Sequence, residues 1–270
     1  MKPVYRQTGF TLTELLVGTA IGLLLISAAI STYLHTRKIE MHARIDVQLL
    51  ETALFALNEV ADDLRQTGYW GRHADGSRIV RDSAGTVRCR ATLVTTWALQ
   101  LRPSFSGSDN SYNPACPADS YVADTDTLTL RYVVAAQPDK EYLQLFTDRR
   151  WGYLHATEHP DSTGLTDPQN YRLVVHGYFI SDDTPAGSKG LRRWTLGKHG
   201  QLRNELVIDG ISDLQLLYGA TDASGNIRWQ PEPFAEAMAV SISVTASTYT
   251  GGRLRQRELN RVVRIRNRPS

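Results

Sequence analysis

An uncharged run of 20 residues, 15–34, constrains this chain more than any other feature of its sequence. At about 1.5 Å per residue, a helix over this run is about 30 Å long, which matches the hydrocarbon core of a bilayer. Lys2 and Arg6 precede the run in a leading segment that contains no acidic residue. Since basic residues stay on the cytoplasmic side, the pattern predicts a single-pass membrane anchor whose amino terminus is cytoplasmic and whose carboxyl-terminal part is exported.

The helical pattern extends well beyond the apolar run. Neither Pro nor Gly interrupts residues 23–66, so we expect one helix from about Phe10 to about Arg65, ended by Gly68. Apolar residues recur at steps of three and four, which predicts a buried stripe on the second half of this helix. The stripe comprises Leu50, Ala53, Leu54, Leu57, Val60, Ala61 and Leu64, and the acidic residues Glu51, Glu59, Asp62 and Asp63 are expected largely outside it.

A cleaved secretory signal peptide is the first alternative for the amino-terminal segment. Glu14 lies at the entrance of the apolar run, where a signal peptide gains nothing from a carboxylate. The amphipathic continuation of the helix is also foreign to a signal peptide. Both features favour a retained helix, with its first half in lipid or in a helical bundle and its second half packed on a folded domain.

The hexapeptide Gly9-Phe-Thr-Leu-Thr-Glu14, followed by the apolar run, resembles the class III leader of type IV pilins and type II secretion pseudopilins. The resemblance implies cleavage after Gly9 by a prepilin peptidase and methylation of the new amino terminus at Phe10. Glu14 becomes the fifth residue of the mature chain. A carboxylate in hydrocarbon is costly unless it is paired. The charged terminus of Phe10 on a neighbouring subunit is the expected partner, so Glu14 is predicted to set the register between helices.

Four further segments resemble PilW-type minor pilins. They are residues 54–71, which end in Gly68-Tyr-Trp-Gly71, and residues 176–181, 191–194 and 205–219. Arg72 stands where many of these relatives carry a cysteine. The resemblance implies a minor pilin of the priming or tip complex of a type IV pilus, with roles in twitching motility and attachment. Its implied partners are other minor pilins, the major pilin, the prepilin peptidase and a tip adhesin.

Two other functions remain open at this point. A type II secretion pseudopilin has a similar leader and helix, although the Gly-Tyr-Trp-Gly stretch favours the pilus. A membrane-anchored periplasmic binding module, whose leader is never cut, is the alternative of another class. Retention of residues 1–9 in the mature protein is the observation that distinguishes it.

The remaining chain has the composition of a folded domain, because 41% of all residues are hydrophobic and 21% are charged. We therefore expect a leader at 1–9, a long helix at 10–67 with its membrane segment at 15–34, and a β-rich head at 68–270. The predicted fold class is α+β, with an antiparallel sheet packed on the exported half of the helix. Period-two patterns predict strands at 92–102, 127–135, 143–147, 171–180, 191–196, 201–207, 211–219, 237–248 and 258–267.

Turn-forming residues predict the connections of the head. Residues 104–120 and 155–170 are expected as long loops, and residues 182–190 and 221–226 as hairpin connections.

The charge balance argues against nucleic-acid binding by the molecule as a whole. Loss of residues 1–9 leaves 28 basic and 28 acidic residues. The carboxyl-terminal segment is the local exception, with a single acidic residue, Glu258, among Arg253, Arg255, Arg257, Arg261, Arg264, Arg266 and Arg268. Val263 and Ile265 alternate with the last three arginines, which predicts a half-buried strand with one charged face.

The two cysteines, Cys89 and Cys116, are too far apart in sequence for a CxxC redox or zinc motif. In an exported protein we expect them to form a disulfide, worth about 3.6 kcal/mol in the chain-entropy model. Two free buried thiols are the alternative.

No segment predicts catalysis or a cofactor. Residues 155–159 have the H-x-x-E-H order of inverted zinc peptidases, but Pro160 follows and no helical period surrounds them, so a surface loop is predicted. Asp124, Asp126 and residues 222–226 lack the spacing of a calcium loop and are interpreted as turns. We therefore predict a protein without metal or cofactor that is not an enzyme.

Overall fold

The computed structural model describes residues 9, 11–74, 76–81, 84–118, 120–156, 165, 169–222, 224–234 and 237–267. The chain divides into two compact units, Met1–Gln48 and Leu49–Ser270. One helix, α1 (Leu12–Gln66), contributes residues to both units. The prediction of a single long helix is thereby confirmed.

The carboxyl-terminal end of α1 is closed by residues from the far end of the chain. Gly68 takes a left-handed conformation (φ +75°), which ends the helix. The side-chain amide of Asn267 donates to the carbonyl oxygens of Arg65, Gln66 and Thr67 at 3.5, 3.3 and 3.3 Å. Carbonyls at the end of a helix lack partners from a following turn, and Asn267 supplies a donor to them in addition to the backbone N–H of Tyr69, which donates to Gln66 at 3.0 Å.

The buried face of α1 differs from the predicted stripe in five residues. Leu50 and Leu54 are exposed, whereas Leu49, Ala56 and Asp63, which the stripe did not include, are buried. The residues that face the interior of the head are Leu49, Ala53, Ala56, Leu57, Val60, Ala61, Asp63 and Leu64. The buried face of α1 is thus shifted around the helix towards Asp63, whose polar partners are described below.

The larger sheet has ten strands within the described residues. They are β1 (Ile79–Val80), β2 (Arg88–Cys89), β3 (Thr92–Leu93), β4 (Phe105–Ser108), β5 (Thr127–Ala135), β6 (Gln144–Thr147), β7 (Gly152–His155), β8 (Gln169–Ser181), β9 (Gly190–Leu196) and β10 (Gln201–Asp209). The strand order is β1-β7-β6-β8-β9-β10-β2-β3, and β5 pairs with both β8 and β4. All pairs are antiparallel except β1 with β7 and β2 with β10.

The smaller sheet is wholly antiparallel, with the order β12-β11-β13-β14. Its strands are β11 (Ile211–Thr221), β12 (Ile227–Gln230), β13 (Ala239–Thr250) and β14 (Arg253–Arg264). The predicted hairpin connections join β8 to β9 and β11 to β12, as expected. Val263 and Ile265 are buried, which agrees with the half-buried strand predicted at this end of the chain.

Two sheets replace the single antiparallel sheet that we expected. Strand β10 ends at Asp209 and β11 begins at Ile211, so the chain changes sheet at Gly210, which has a φ of +80°. A left-handed residue at this point redirects the chain out of the plane of the first sheet. The two short parallel pairs were also not predicted, because two-residue strands carry no periodicity.

Asp126 links the two sheets just ahead of β5. Its backbone N–H donates to the carbonyl of Leu214 at 2.9 Å, and its carboxylate accepts the N–H groups of Leu216 and Asn110 at 2.6 and 2.9 Å. Burial, together with the negative charges of Asp109 and Asp213, raises the pKa of Asp126 to about 6. Asp126 was interpreted from the sequence as a turn residue. In the structure its hydrogen bonds connect the two sheets.

Two strand and loop predictions between residues 92 and 120 were wrong. Only Thr92–Leu93 is extended in the expected strand 92–102, and a one-turn helix α2 (Thr95–Ala98) follows. The expected loop 104–120 contains β4, which pairs with β5.

Arg131 on β5 explains the one-turn helix. Its guanidinium is fully buried and donates to the carbonyls of Trp97 (2.6 and 3.1 Å) and Ala98 (3.3 Å) and, at 3.5 Å, to Ser106 Oγ. Burial lowers the pKa of Arg131 to about 10. A buried cation needs several acceptors, and the carbonyls at the end of α2 provide them. The contact between Arg131 and these carbonyls cannot be predicted from the periodicity of the sequence.

Gly68 offers a test of how the two ends of the chain meet. An alanine Cβ at Gly68 would lie 2.4 Å from the carbonyl oxygen of Asn267, whereas Gly187, with a similar φ of +66°, has nothing within 4 Å. We expect Gly68→Ala to lower the free energy of unfolding by about 3 kcal/mol, and Gly187→Ala by about 1 kcal/mol. Urea unfolding of the full chain in detergent, followed by tryptophan fluorescence, measures both. Equal losses would contradict the close contact between Gly68 and Asn267.

Candidate functional site

The predicted cleavage site lies at the start of the described chain. Gly9 is exposed, and Phe10, the predicted site of methylation, lies outside the described residues. Helix α1 begins two residues further on, at Leu12.

Glu14 makes a reciprocal set of hydrogen bonds with Thr11 at the first turn of α1. The backbone N–H and the hydroxyl of Thr11 donate to Glu14 Oε2 at 3.0 and 2.9 Å, and the backbone N–H of Glu14 donates to Thr11 Oγ1 at 3.3 Å. This is a capping box, in which two residues three apart satisfy each other's free N–H groups. The Thr-x-x-Glu spacing was a signal for it that the sequence analysis did not use.

The apolar segment that follows Glu14 is long and apolar enough to cross a membrane, and none of its most hydrophobic window is buried within the chain. Its large side chains are exposed from Leu12 to Leu34. The segment therefore offers a continuous apolar surface for lipid or for neighbouring helices.

Asp63 is the buried polar centre between α1 and the larger sheet, with only 7% of its surface exposed. Its Oδ1 accepts the hydroxyl of Tyr132 at 2.7 Å, and its Oδ2 accepts the hydroxyl of Tyr178 at 2.5 Å and contacts His176 Nδ1. Burial raises the pKa of Asp63, but the hydrogen bonds from His176, Tyr178 and Tyr132 outweigh burial and hold the pKa below its ordinary value. The carboxylate is thus stabilised as an anion in the interior.

Arg193 on β9 extends this polar centre towards the surface. Its Nη1 donates to Glu59 Oε1 at 2.7 Å and to the hydroxyl of Tyr178 at 3.3 Å. Glu205 Oε2 lies 3.6 Å from its Nη2. Two acidic residues of α1, one turn apart, are therefore held by β5, β8 and β9 together. Sequence reasoning placed both outside the packed stripe.

The structure joins Cys89 and Cys116 by a disulfide, with a Cα–Cα distance of 5.5 Å. Both residues are fully buried. The hydroxyl of Tyr112 donates to the carbonyl of Cys116 at 2.5 Å and accepts from Trp194 Nε1 at 3.0 Å. The segment around Cys116 is thereby fastened to the core of the head.

The described residues contain no group of three or more His, Cys, Asp or Glu side chains that could hold a metal ion. His155 ends β7, Ala156 follows it, and residues 157–159 of the H-x-x-E-H segment lie outside the described residues. Asp222 accepts the backbone N–H groups of Ser224 and Asn226 at 2.8 and 3.0 Å, which is an Asx turn. The turn interpretation of residues 222–226 therefore agrees with the contacts.

Residues 5–30 match the family model of the prokaryotic N-terminal methylation motif. The match covers residues 5–9 of the predicted leader and the first part of α1. No curated protein and no solved structure matches the chain. Together with the long apolar helix and the β-rich head, the motif supports a type IV pilin-like protein that is anchored in a membrane and associated with a pilus. It favours a structural protein over an enzyme.

The buried carboxylate generates a prediction with a matched control. Asp63→Asn removes the charge that three donors stabilise, and we expect it to lower the free energy of unfolding by about 2–3 kcal/mol. The adjacent Asp62 is exposed and pairs with Arg65 three residues further along the helix, so Asp62→Asn should cost less than about 0.5 kcal/mol. Urea unfolding of the full chain in detergent gives both values. Similar values for the two variants would contradict the role of Asp63.

The same two variants test how the free energy of unfolding depends on pH. Because the folded pKa of Asp63 is lowered, the unfolded chain binds its proton more readily. The stabilisation is therefore fully present above an unfolded pKa of about 4 and is lost as the pH falls through the folded value. Between pH 7 and 3, the wild type and Asp62→Asn should lose this stability on acidification. Asp63→Asn should lack this component, and curves of the same shape for both variants would contradict the assignment.

Proposed function

We propose that this chain is a minor pilin that takes part in type IV pilus assembly within a priming or tip complex, and that it supports twitching motility and attachment. The match of residues 5–30 to the methylation motif, which overlaps the start of a 55-residue helix that enters a β-rich head, carries the proposal. The chain is held in the inner membrane, with its amino terminus cytoplasmic, before it enters the pilus at the cell surface.

The size of the folded unit Leu49–Ser270 favours a low-copy position. A shaft repeats its subunits closely, and a bulky head fits poorly between identical copies. A position at the tip removes that constraint on one side. Other minor pilins, the major pilin and a tip adhesin are the partners of such a position, and the prepilin peptidase is the processing partner.

Helix α1 offers surfaces for the contacts that a filament requires. Beyond the apolar segment, Leu50, Leu54 and Phe55 are exposed on the face of α1 that the head does not cover. Helices in a bundle associate through such apolar side chains and through polar pairs between them. Glu14 provides the charged group for a pair with the amino terminus of Phe10 on a neighbouring subunit.

The Gly-Tyr-Trp-Gly turn that resembles PilW-type minor pilins has a clear structural basis. Gly68 and Gly71 both have positive φ angles, and Trp70 between them is 2% exposed. An alanine Cβ at Gly71 would lie 2.6 Å from the ring of Tyr171 on β8. The turn thus leads the chain from α1 into the core of the larger sheet, which suits a feature shared among related heads.

Processing of the leader is the first test. We expect the mature amino-terminal peptide from wild-type cells to begin at Phe10 and to carry one methyl group. Gly9→Val places a branched side chain at the predicted cleavage residue and should leave residues 1–9 attached in nearly all molecules. Gly18→Ala, at a helix position with nothing within 4 Å, is the matched control and should be processed like the wild type. Mass spectrometry of the terminal peptide from membranes and from sheared pili measures all three.

The location of the processed chain separates the alternatives. Low-copy recovery in sheared pili supports the minor pilin. A processed chain found in membranes alone favours a type II secretion pseudopilin. An intact terminus at Met1 or Lys2 contradicts the proposal and favours the anchored periplasmic binding module.

Glu14 provides a second test that separates its charge from its capping role. Glu14→Gln retains an oxygen that accepts from Thr11 but removes the charge, whereas Glu14→Ala removes both. If pairing with a neighbouring amino terminus drives assembly, both variants should reduce recovery in sheared pili at least about tenfold, a loss in the range of one buried charge pair. Immunoblots of pilus and membrane fractions measure the ratio. Normal recovery of Glu14→Gln would show that the capping box alone is required.

A further inference from the structure

Strand β14 forms an open edge of the smaller sheet. Among the described residues β14 pairs with β13, and no further strand lies beyond it. The register is continuous from the Ala239–Arg264 pair to the Thr250–Arg253 pair. The edge is therefore 12 residues long, without a bulge and without proline.

Proteins usually protect such an edge by making it short, by adding a bulge or a proline, by covering it or by charging it. Strand β14 is not short, contains neither a bulge nor a proline, and is not covered by a further strand among the described residues. Charge is therefore the device that protects this edge. Four arginines lie at alternate positions on the face of β14 that also carries Val263, and these are Arg253, Arg255, Arg257 and Arg261. Arg261 donates to Asn58 of α1 at 2.6 Å, which identifies this as the helix-side face.

The opposite face of β14 has a different character. Its one acidic residue, Glu258, lies there with the exposed side chains of Leu254 and Val262, which are 48% and 58% exposed. Gln256 and Asn260 lie between them. A strand added to this edge would therefore meet a row of positive charge on one face. On the other face it would meet a mixed surface of apolar and neutral side chains with one acidic and one basic residue, Glu258 and Arg264, because paired residues share a face.

A second copy of β14 does not satisfy this edge. In a two-fold antiparallel pair, residues on the helix-side face meet residues on the same face of the other copy, so arginines lie opposite arginines or apolar residues. Like charges opposite each other are destabilising. The charge pattern thus disfavours self-pairing and favours a strand of opposite charge.

We propose that the free edge of β14 binds an extended strand of a partner protein that carries Asp or Glu at every second residue and neutral or apolar residues between them. The strand adds to the smaller sheet by main-chain hydrogen bonds, and its acidic residues lie opposite the arginines of the helix-side face. This inference does not depend on processing of the leader, so it stands or fails separately from the proposed pilus function.

Fluorescence anisotropy with the full chain in detergent tests the proposal. The probe is a labelled eight-residue peptide that alternates glutamate with valine and threonine. Two control peptides replace glutamate by lysine or collect the four glutamates in one block. We expect the alternating acidic peptide to bind at least about tenfold more tightly than either control, since several cross-strand pairs are lost in each. Equal binding of the block peptide would show unspecific charge attraction and overturn the proposal.

Charge reversal locates the binding face. Arg253→Glu with Arg257→Glu places two acids on the helix-side face, and should weaken the acidic peptide about tenfold while creating binding of the lysine peptide. Arg264→Glu with Arg266→Glu makes the same change in net charge outside that row and should change either affinity less than about twofold at physiological salt. The gain of lysine-peptide binding also shows that the first variant remains folded. Equal loss in both variants would overturn the assignment.

Hydrogen exchange gives the decisive observation on geometry. Saturation with the acidic peptide should slow amide exchange within residues 253–264, because an added strand takes up the backbone groups of the open edge. A DNA duplex used as a second polyanion should leave these amides unprotected. Unchanged exchange with the peptide, or protection by the duplex alone, would overturn the proposal.

Discussion

The head depends on one buried carboxylate. Asp63 lies on α1 and accepts hydrogen bonds from Tyr132 on β5 and Tyr178 on β8, with His176 in contact with the same group. Such an anion is stable in the interior only when its donors are in place. Its partners therefore fix the rotation of the second half of the helix about its own axis. Leu50 and Leu54 lie on other faces of the helix and are exposed.

The same orientation prepares the surfaces that an assembly protein needs. Once the Asp63 face is turned to the sheet, Leu50, Leu54 and Phe55 are presented outward for other helices. The carboxyl-terminal segment then crosses the end of α1, where Asn267 satisfies its last carbonyls and Arg261 contacts Asn58. This placement positions β14 as an edge strand, with its row of arginines on the helix side and its free backbone groups at the rim of the smaller sheet.

Some features of the candidate site follow from local sequence and others do not. The leader motif and the uncharged run are contiguous, so their residue types and spacing identify them without a structure. The capping box of Thr11 and Glu14 is also local, and its spacing was available to sequence analysis. The burial of Asp63 and Arg131 could not be predicted from local sequence, because their partners lie at least 25 residues away in the chain. A charged residue in a helical or extended pattern is ordinarily assigned to the surface.

By itself the sequence determined the long helix, the leader motif, the α+β class and most of the longer strands, because each rests on periodicity or on contiguous motifs. Only the tertiary structure decided that the strands form two sheets joined at Gly210 and Asp126, that residues 95–98 turn into a helix at Arg131, and that Asp63 faces inward. Each of these depends on hydrogen bonds between residues distant in sequence. Desolvation makes such bonds obligatory for buried polar groups, and no local pattern encodes which partner provides them.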